Sequence, residues 1–169
     1  MTVLVRPAHT GELAVVGELT ARAYTADGVV DPSDDYLDHL RDAVTRAREA
    51  ELYVAVLPDD TPHCQGPAGT VTFCPEGSPW CELAQPGEGE FRMLAVDPRA
   101  RRRGVAGALV GTCVERAREL GYRALVLSSL PEQTPAHALY GRLGFRRTPQ
   151  RDWSPLPGID LLAFRLDLR

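Results

Sequence analysis

Apolar positions along the chain change period again and again, from every second residue to every third or fourth and back. Val3–Arg6 predicts a short strand. Thr10 can cap a helix that carries Leu13, Val16, Leu19, Thr20 and Ala23 on one face. Asp31-Pro32 predicts a second helix start, with Leu37, Leu40, Val44 and Ala47 at helical spacing behind it. Leu52–Leu57 and Ala68–Cys74 are the next expected strands, separated by a Pro58-Asp59-Asp60 turn. Three Pro and three Gly between Pro75 and Gly89 predict a long loop. Glu90–Val96 is a strand closed by Asp97-Pro98. After Arg103 a long helix places Val105, Leu109, Cys113, Ala117 and Leu120 on one face, until Gly121 stops it. Ala124–Ser128 has the continuous apolar character of a buried strand. Thr134–Leu143 predicts a short helix ended by Gly144. Phe145–Arg147 and Ile159–Leu168 predict closing strands around the proline-rich Pro149–Pro157. No repeat or linker interrupts this order, so one α/β domain over residues 1–169 is expected.

Composition narrows the chemistry. The chain has 169 residues, 44% apolar and 25% charged, enough to bury a core without disulfides or metal. No apolar stretch approaches the roughly 20 residues of a membrane span. The first residues lack a basic region followed by an apolar one, so a cytoplasmic protein is expected. All 19 basic residues are Arg; the absence of Lys excludes Schiff-base lysines and the phosphate-loop lysine. The formal charge of -4 argues against a general nucleic-acid surface. The cysteines are too few for a disulfide scaffold and form no Cys-x-x-Cys pair. Cys64 beside His63, with Cys74 and Cys81 following, fits no zinc spacing, and no metal is expected.

The strongest site signal lies where the Glu90–Val96 strand meets the long helix. An Arg-rich turn leads into a helix whose first turn contains Gly104, Ala106, Gly107 and Ala108. Small side chains let a ligand approach the backbone, and free N–H groups at a helix start suit a phosphate or pyrophosphate. Arg99, Arg101, Arg102 and Arg103 add donors and charge. The alternative is a solvated Arg turn. No Gly-x-Gly-x-x-Gly is present, so the dinucleotide fingerprint is excluded.

These residues carry a resemblance. Arg101-Arg102-Arg103-Gly104-Val105-Ala106 resembles the Arg/Gln-x-x-Gly-x-Gly/Ala coenzyme A signature of the GNAT superfamily of acyl-CoA-dependent N-acyltransferases. Leu94-Ala95-Val96-Asp97-Pro98 is similar to the family's lead-in to that signature. Ala138-Leu139-Tyr140, followed by Leu143-Gly144-Phe145, resembles its second hallmark, about 35 residues further on. The resemblance implies a mixed, mainly antiparallel sheet of six or seven strands with about four helices, splayed between the fourth and fifth strands. It implies acetyl-CoA as co-substrate and direct transfer to a primary amine of a small molecule or peptide. It implies that Arg101, Arg102, Arg103, Gly104, Val105, Ala106 and Gly107 hold the pyrophosphate. The backbone of Leu94, Ala95 and Val96 would pair the pantetheine arm. Gln133 stands where the family often has Asn. By the same resemblance Tyr140 would contact the coenzyme and act as general acid, and a homodimer is possible.

Amine attack on a thioester needs deprotonation of the amine and a proton for the leaving thiolate. Glu90 lies eleven residues before Arg101, where several family members keep a glutamate base. Simple alternation places Glu90, Arg92, Leu94 and Val96 on one strand face and Phe91, Met93 and Ala95 on the other. Apolar neighbours would raise the pKa of Glu90. An ordered water or another residue could serve as the base instead, and Glu90 could simply pair with Arg92. His137 precedes Tyr140 by three residues and reads as helix surface. For the acceptor, Tyr24, Asp34, Asp35, Trp80, Glu82, Arg92, Asp152 and Trp153 are candidates. Acidic and aromatic residues suit a cationic amine, whereas Arg92 would hold an acceptor carboxylate. An idle acyl-CoA-binding module and, on the Arg cluster, a nucleic-acid binder are the other classes.

Overall fold

A computed structural model describes residues 2–58 and 65–169. The Asp59-Asp60 turn and the His63-Cys64 pair lie outside the described residues. The elements are β1 (Leu4–Pro7), α1 (Leu13–Ala26), α2 (Tyr36–Arg41), α3 (Ala43–Glu49), β2 (Glu51–Val56), β3 (Pro67–Cys74) and β4 (Glu88–Val96). They continue as α4 (Val105–Glu119), β5 (Ala124–Ser129), α5 (Thr134–Arg142), β6 (Arg146–Arg147), β7 (Trp153–Leu156) and β8 (Ile159–Asp167). The strands form one mixed sheet in the order β1-β2-β3-β4-β5-β8-β6, with β7 paired to β8.

The expected architecture holds, with eight strands instead of six or seven. The additional one is β7, inside the proline-rich segment read as coil. Its only partner is β8, so Pro155 forfeits no donor that a second neighbour would need. The second helix also departs from expectation. Asp31 caps a turn, accepting the Ser33 N–H at 2.9 Å and hydroxyl at 2.6 Å, and the helix starts later, at Tyr36. It breaks at Asp42, which caps α3 by accepting the Thr45 N–H at 3.1 Å. The break rotates the pattern: Ala43 and Arg46 are buried, and Val44 is 59% exposed. Before α1 the chain makes a 3₁₀ turn over Thr10–Glu12. Glu12, not Thr10, closes that turn, accepting the His9 N–H at 2.8 Å.

Helices cover both sheet faces. α1, α2 and α3 pack on one face through Val16, Leu19, Leu37 and Leu40. α4 packs on the other through Val105, Leu109, Cys113 and Ala117, beside Tyr140 of α5. Leu120, expected on that buried face, is the C-cap of α4 and 38% exposed.

Two features of β4 shape the site. β4 runs parallel to β5 only from Glu88↔Ala124 to Glu90↔Val126, after which no pairing continues and the strands diverge. β4 also carries a bulge. Thr70 pairs with Ala95 and Thr72 with Arg92, so Met93 and Leu94 together oppose Val71. Met93 takes the left-handed φ of 53°. The extra residue inverts the alternation beyond it. Glu90 lies on the α1 side with Met93 and Ala95, whereas Phe91, Leu94 and Val96 pack on the α4 side. The expected common face for Glu90, Arg92, Leu94 and Val96 is therefore corrected: Leu94 and Val96 belong to the opposite face.

Candidate active site

β4 and β5 stop pairing at Glu90↔Val126, beside several of the predicted residues. Beyond Glu90 the β5-facing edge of β4 has no strand partner among the described residues, and this edge includes Leu94, Ala95 and Val96. The first turn of α4 sits directly on the sheet here. A side chain at Gly69 of β3 would come within 2.6 Å of Val105 Cγ1 and 3.0 Å of the Ala95 carbonyl.

Gly104 is the N-cap of α4 at φ +79°, a conformation that suits glycine. The Ala108 N–H closes the first turn on the Gly104 carbonyl at 3.0 Å. The N–H groups of Val105, Ala106 and Gly107 precede that bond and have no intrahelical acceptor. A methyl at Gly107 would meet only Leu139 Cδ1, at 3.9 Å. Protein packing leaves that space open, and a coenzyme pyrophosphate fits a turn of this kind. Asp97 anchors the preceding loop. It accepts the Arg99 N–H at 2.9 Å and both Arg99 and Arg22 guanidinium groups. These bonds, Arg99 foremost, hold its carboxyl well below the usual carboxylate range. Arg101 pairs with Asp27 at 2.7 Å. Arg102 is exposed with φ 63°, and Arg103 is half-buried.

Two cavities adjoin the splay. The larger, about 1010 Å³, is lined by Arg101, Asp27, Gln133 and Thr134, among others. The smaller, about 340 Å³, contains Glu90 and Arg92 in its wall. Val29, Leu130, Gln133 and Ile159 border both. Of the predicted coenzyme residues, Arg101 and Gln133 reach the larger cavity; Leu94–Val96, Arg102–Gly107 and Tyr140 line neither of the two. Gln133 turns its carbonyl inward, accepting the Ser129 hydroxyl and the Leu130 N–H, each at 3.0 Å.

Glu90 is 1% exposed. It does not pair with Arg92. Its Oε2 accepts three backbone N–H groups, from Glu82 at 2.9 Å, Leu83 at 2.9 Å and Ala84 at 3.0 Å. Oε1 takes part in none of these bonds. Burial raises the Glu90 pKa, and the three amides offset only part of that rise. The amide clamp is itself anchored. Arg151 donates to the Leu83 carbonyl at 2.6 Å and to Glu88 at 3.0 Å. Glu88 is fully buried, meets Arg165 as well, and accepts the Gln85 N–H at 3.0 Å.

Tyr140 is 5% exposed in an aromatic cluster with Phe91, Phe145 and Phe164, at centroid distances of 6.0, 5.9 and 5.7 Å. Among the described residues its hydroxyl has no hydrogen-bond partner, and burial pushes its pKa up, keeping it protonated. His137 is not plain helix surface: its Nε2 lies 3.0 Å from the Ser129 hydroxyl, and burial lowers its pKa.

Of the acceptor candidates, Tyr24, Asp34, Glu82 and Arg92 line the smaller cavity. Trp80 lies under Arg92, whose Cζ is 5.6 Å from the ring centroid. Asp152 pairs with Arg147 at 2.8 Å, and Trp153 donates to Ser128 at 3.0 Å; Asp35 is in neither cavity wall. Sequence reasoning missed Tyr36, His39, Leu156 and Ile159 in that wall. The exposed apolar pair flanking Pro157-Gly158 was the available signal. Among the described residues no cluster of His, Cys, Asp or Glu could hold a metal ion, and no helix is long and apolar enough to cross a membrane.

Known proteins share this fold. The chain is 39% identical over 70 residues to N-acetylaspartate synthetase of Danio rerio, a match covering 41% of this chain and 25% of that protein. It thus spans about a quarter of that relative's length. An acetyltransferase of the GNAT family from Staphylococcus aureus Mu50 superposes with a TM-score of 0.75 at 13% identity, covering 99% of this chain and 100% of the other. The PaiA N-acetyltransferase of Thermoplasma acidophilum, solved in complex with coenzyme A, gives 0.72 at 12% identity, covering 99% and 100%. The profile of the Acetyltransferase (GNAT) family matches residues 15–145. With that match over most of its length, the chain belongs to the GNAT acetyltransferase family.

Proposed function

We propose that this protein transfers an acetyl group from acetyl-CoA to a primary amine of a small molecule or peptide, by direct attack. One observation carries the reading. β4 stops pairing with β5 after Glu90, a buried carboxylate clamped at Oε2 by three main-chain amides, and α4 starts at Gly104 with open space at Gly107. Acetyl-CoA, when bound, supplies the acetyl group as an activated thioester. The α4 turn from Arg101 to Gly107 would hold its pyrophosphate through free N–H groups and the positive helix end. The unpaired edge of Leu94–Val96 would align the pantetheine arm as an additional strand does. Glu90 would receive the amine proton at Oε1 while the clamp fixes Oε2. Tyr140 would hold a proton at its hydroxyl for the departing sulfur. The amide-rich environment needs no protein nucleophile. The three free cysteines among the described residues suit a reducing compartment, in keeping with a cytoplasmic enzyme.

Calorimetric titration with acetyl-CoA, paired with thiol detection across an amine panel, tests this reading. Micromolar coenzyme binding with amine-dependent thiol release is expected. Binding without release for any amine would instead identify an idle acyl-CoA-binding module. No binding at all would overturn the coenzyme site.

A further inference from the structure

We propose that the acceptor is a primary amine on an apolar body, with no carboxylate beside the amine. This rests on the acetyltransferase reading above and concerns the smaller cavity, about 340 Å³, in whose wall Glu90 sits. That volume is at the small-ligand end of the usual range.

The fate of Arg92 decides against an amino acid. Among the described residues Arg92 is the only guanidinium in this wall, and both its terminal nitrogens are engaged. Nη1 donates to the Trp80 carbonyl at 3.1 Å, and Nη2 meets Glu82 Oε1 at 3.1 Å. The side chain is 15% exposed and lies over the Trp80 ring. An acceptor carboxylate would have to displace Glu82. It would also enter a wall that already holds Asp34, Glu82 and Glu90. Like charges in a partly desolvated site repel, and a buried carboxylate without a partner is costly.

The rest of the wall decides against a polyamine. Leu156 and Ile159 are 62% and 40% exposed, yet both border this cavity. They are register partners across the Pro157-Gly158 turn of the β7–β8 hairpin, so they present one apolar face together. Val30 and Leu161 line the same cavity. With Glu82 tied to Arg92 and Asp34 accepting the Tyr36 N–H at 2.8 Å, a second ammonium would meet no acid free of another partner except the base itself among the described wall residues, and would lie mostly against hydrocarbon. An ammonium headed for Glu90 and an apolar body against the hairpin satisfy both halves of the wall.

The test uses matched pairs, phenethylamine with phenylalanine and isopentylamine with leucine, beside spermidine and aspartate. Thiol release gives kcat/KM, and calorimetry on the CoA-saturated protein gives direct amine binding. Each plain amine should exceed its amino acid by about 100-fold or more in kcat/KM, as expected for a site that leaves a charge unpaired. Leu156→Asp should raise KM for phenethylamine about tenfold, the loss of one apolar contact, with acetyl-CoA binding unchanged. A preference for an amino acid or for spermidine would overturn this proposal and leave the transferase reading standing. Binding of phenethylamine but not phenylalanine, without transfer, would support the pocket's chemistry and overturn the transferase reading. Neither binding nor turnover of any amine would overturn both.

Discussion

At the level of single residues, the proposed chemistry rests on Glu90 and Tyr140. Glu90→Gln keeps the shape of the side chain and an oxygen for the clamp but removes the base. We expect kcat to fall by about 100-fold or more, the usual contribution of a general base. Because burial raises the Glu90 pKa, its protonated form persists above the ordinary carboxylate value of 4.5. Activity of the native enzyme should therefore fall as pH drops through a limb displaced above that value, and the limb should vanish in Glu90→Gln. A kcat/KM profile against pH reads both effects. Tyr140→Phe should lower kcat by about 100-fold, with acetyl-CoA affinity little changed in the same calorimetric titration. That Glu90 is a carboxylate among apolar neighbours was legible in the chain. That three amides from residues 82–84 clamp it was not, because those donors are main-chain groups and leave no mark in side-chain identity.

Elements set the geometry around those residues. Gly107→Val separates packing from binding at the start of α4. A Cβ there meets only Leu139 at 3.9 Å, and valine is a better helix former than glycine. The melting temperature should hold or rise while acetyl-CoA affinity drops at least about tenfold, roughly 1.4 kcal/mol. Unchanged affinity would place the pyrophosphate elsewhere. The loop before β4 supplies a complementary case. Arg151→Ala removes a partner of buried Glu88 and of the Leu83 carbonyl, and should cost about 1–3 kcal/mol in urea denaturation. It should also lower kcat and move the acidic limb of the pH profile, with partial recovery in Arg151→Lys. Most elements could be placed from apolar spacing and Gly or Pro punctuation. The two that could not, the α2–α3 break and β7, depend on an Asp cap and on an edge position. Both rest on contacts a few residues apart, Asp42 with Thr45 and Leu156 with Ile159, which apolar spacing alone does not single out.

Across the whole molecule, ligand binding and pH act on the folding equilibrium. Acetyl-CoA at 100 times its Kd should stabilise the fold by about 2.7 kcal/mol, about 5–10 °C in melting temperature for a chain of this size. No shift would contradict a coenzyme site. Asp97 ties the loop before α4 to α1 through Arg22 and lies well below its ordinary pKa of 3.8. Its contribution is therefore complete above that value and is lost as pH falls below it. Asp97→Asn should reduce stability at neutral pH by about 1–3 kcal/mol, and the gap from the native protein should close below about pH 4 in acid-range urea titrations.

The order of strands and helices, the glycine-opened helix start and the residue types of the Arg-rich turn before it are written in local pattern. Periodicity, caps and breakers act over a few residues, so the chain alone specifies them. The β4 bulge, the arrest of β4–β5 pairing at Glu90 and the capture of Arg92 by Glu82 and Trp80 arise from contacts between segments that only folding brings together. The bulge matters most. One extra residue opposite Val71 reverses the side-chain alternation, because a strand has a period of two and any insertion exchanges its faces. Glu90 and Arg92 are left facing the smaller cavity, while Leu94 and Val96 turn toward α4.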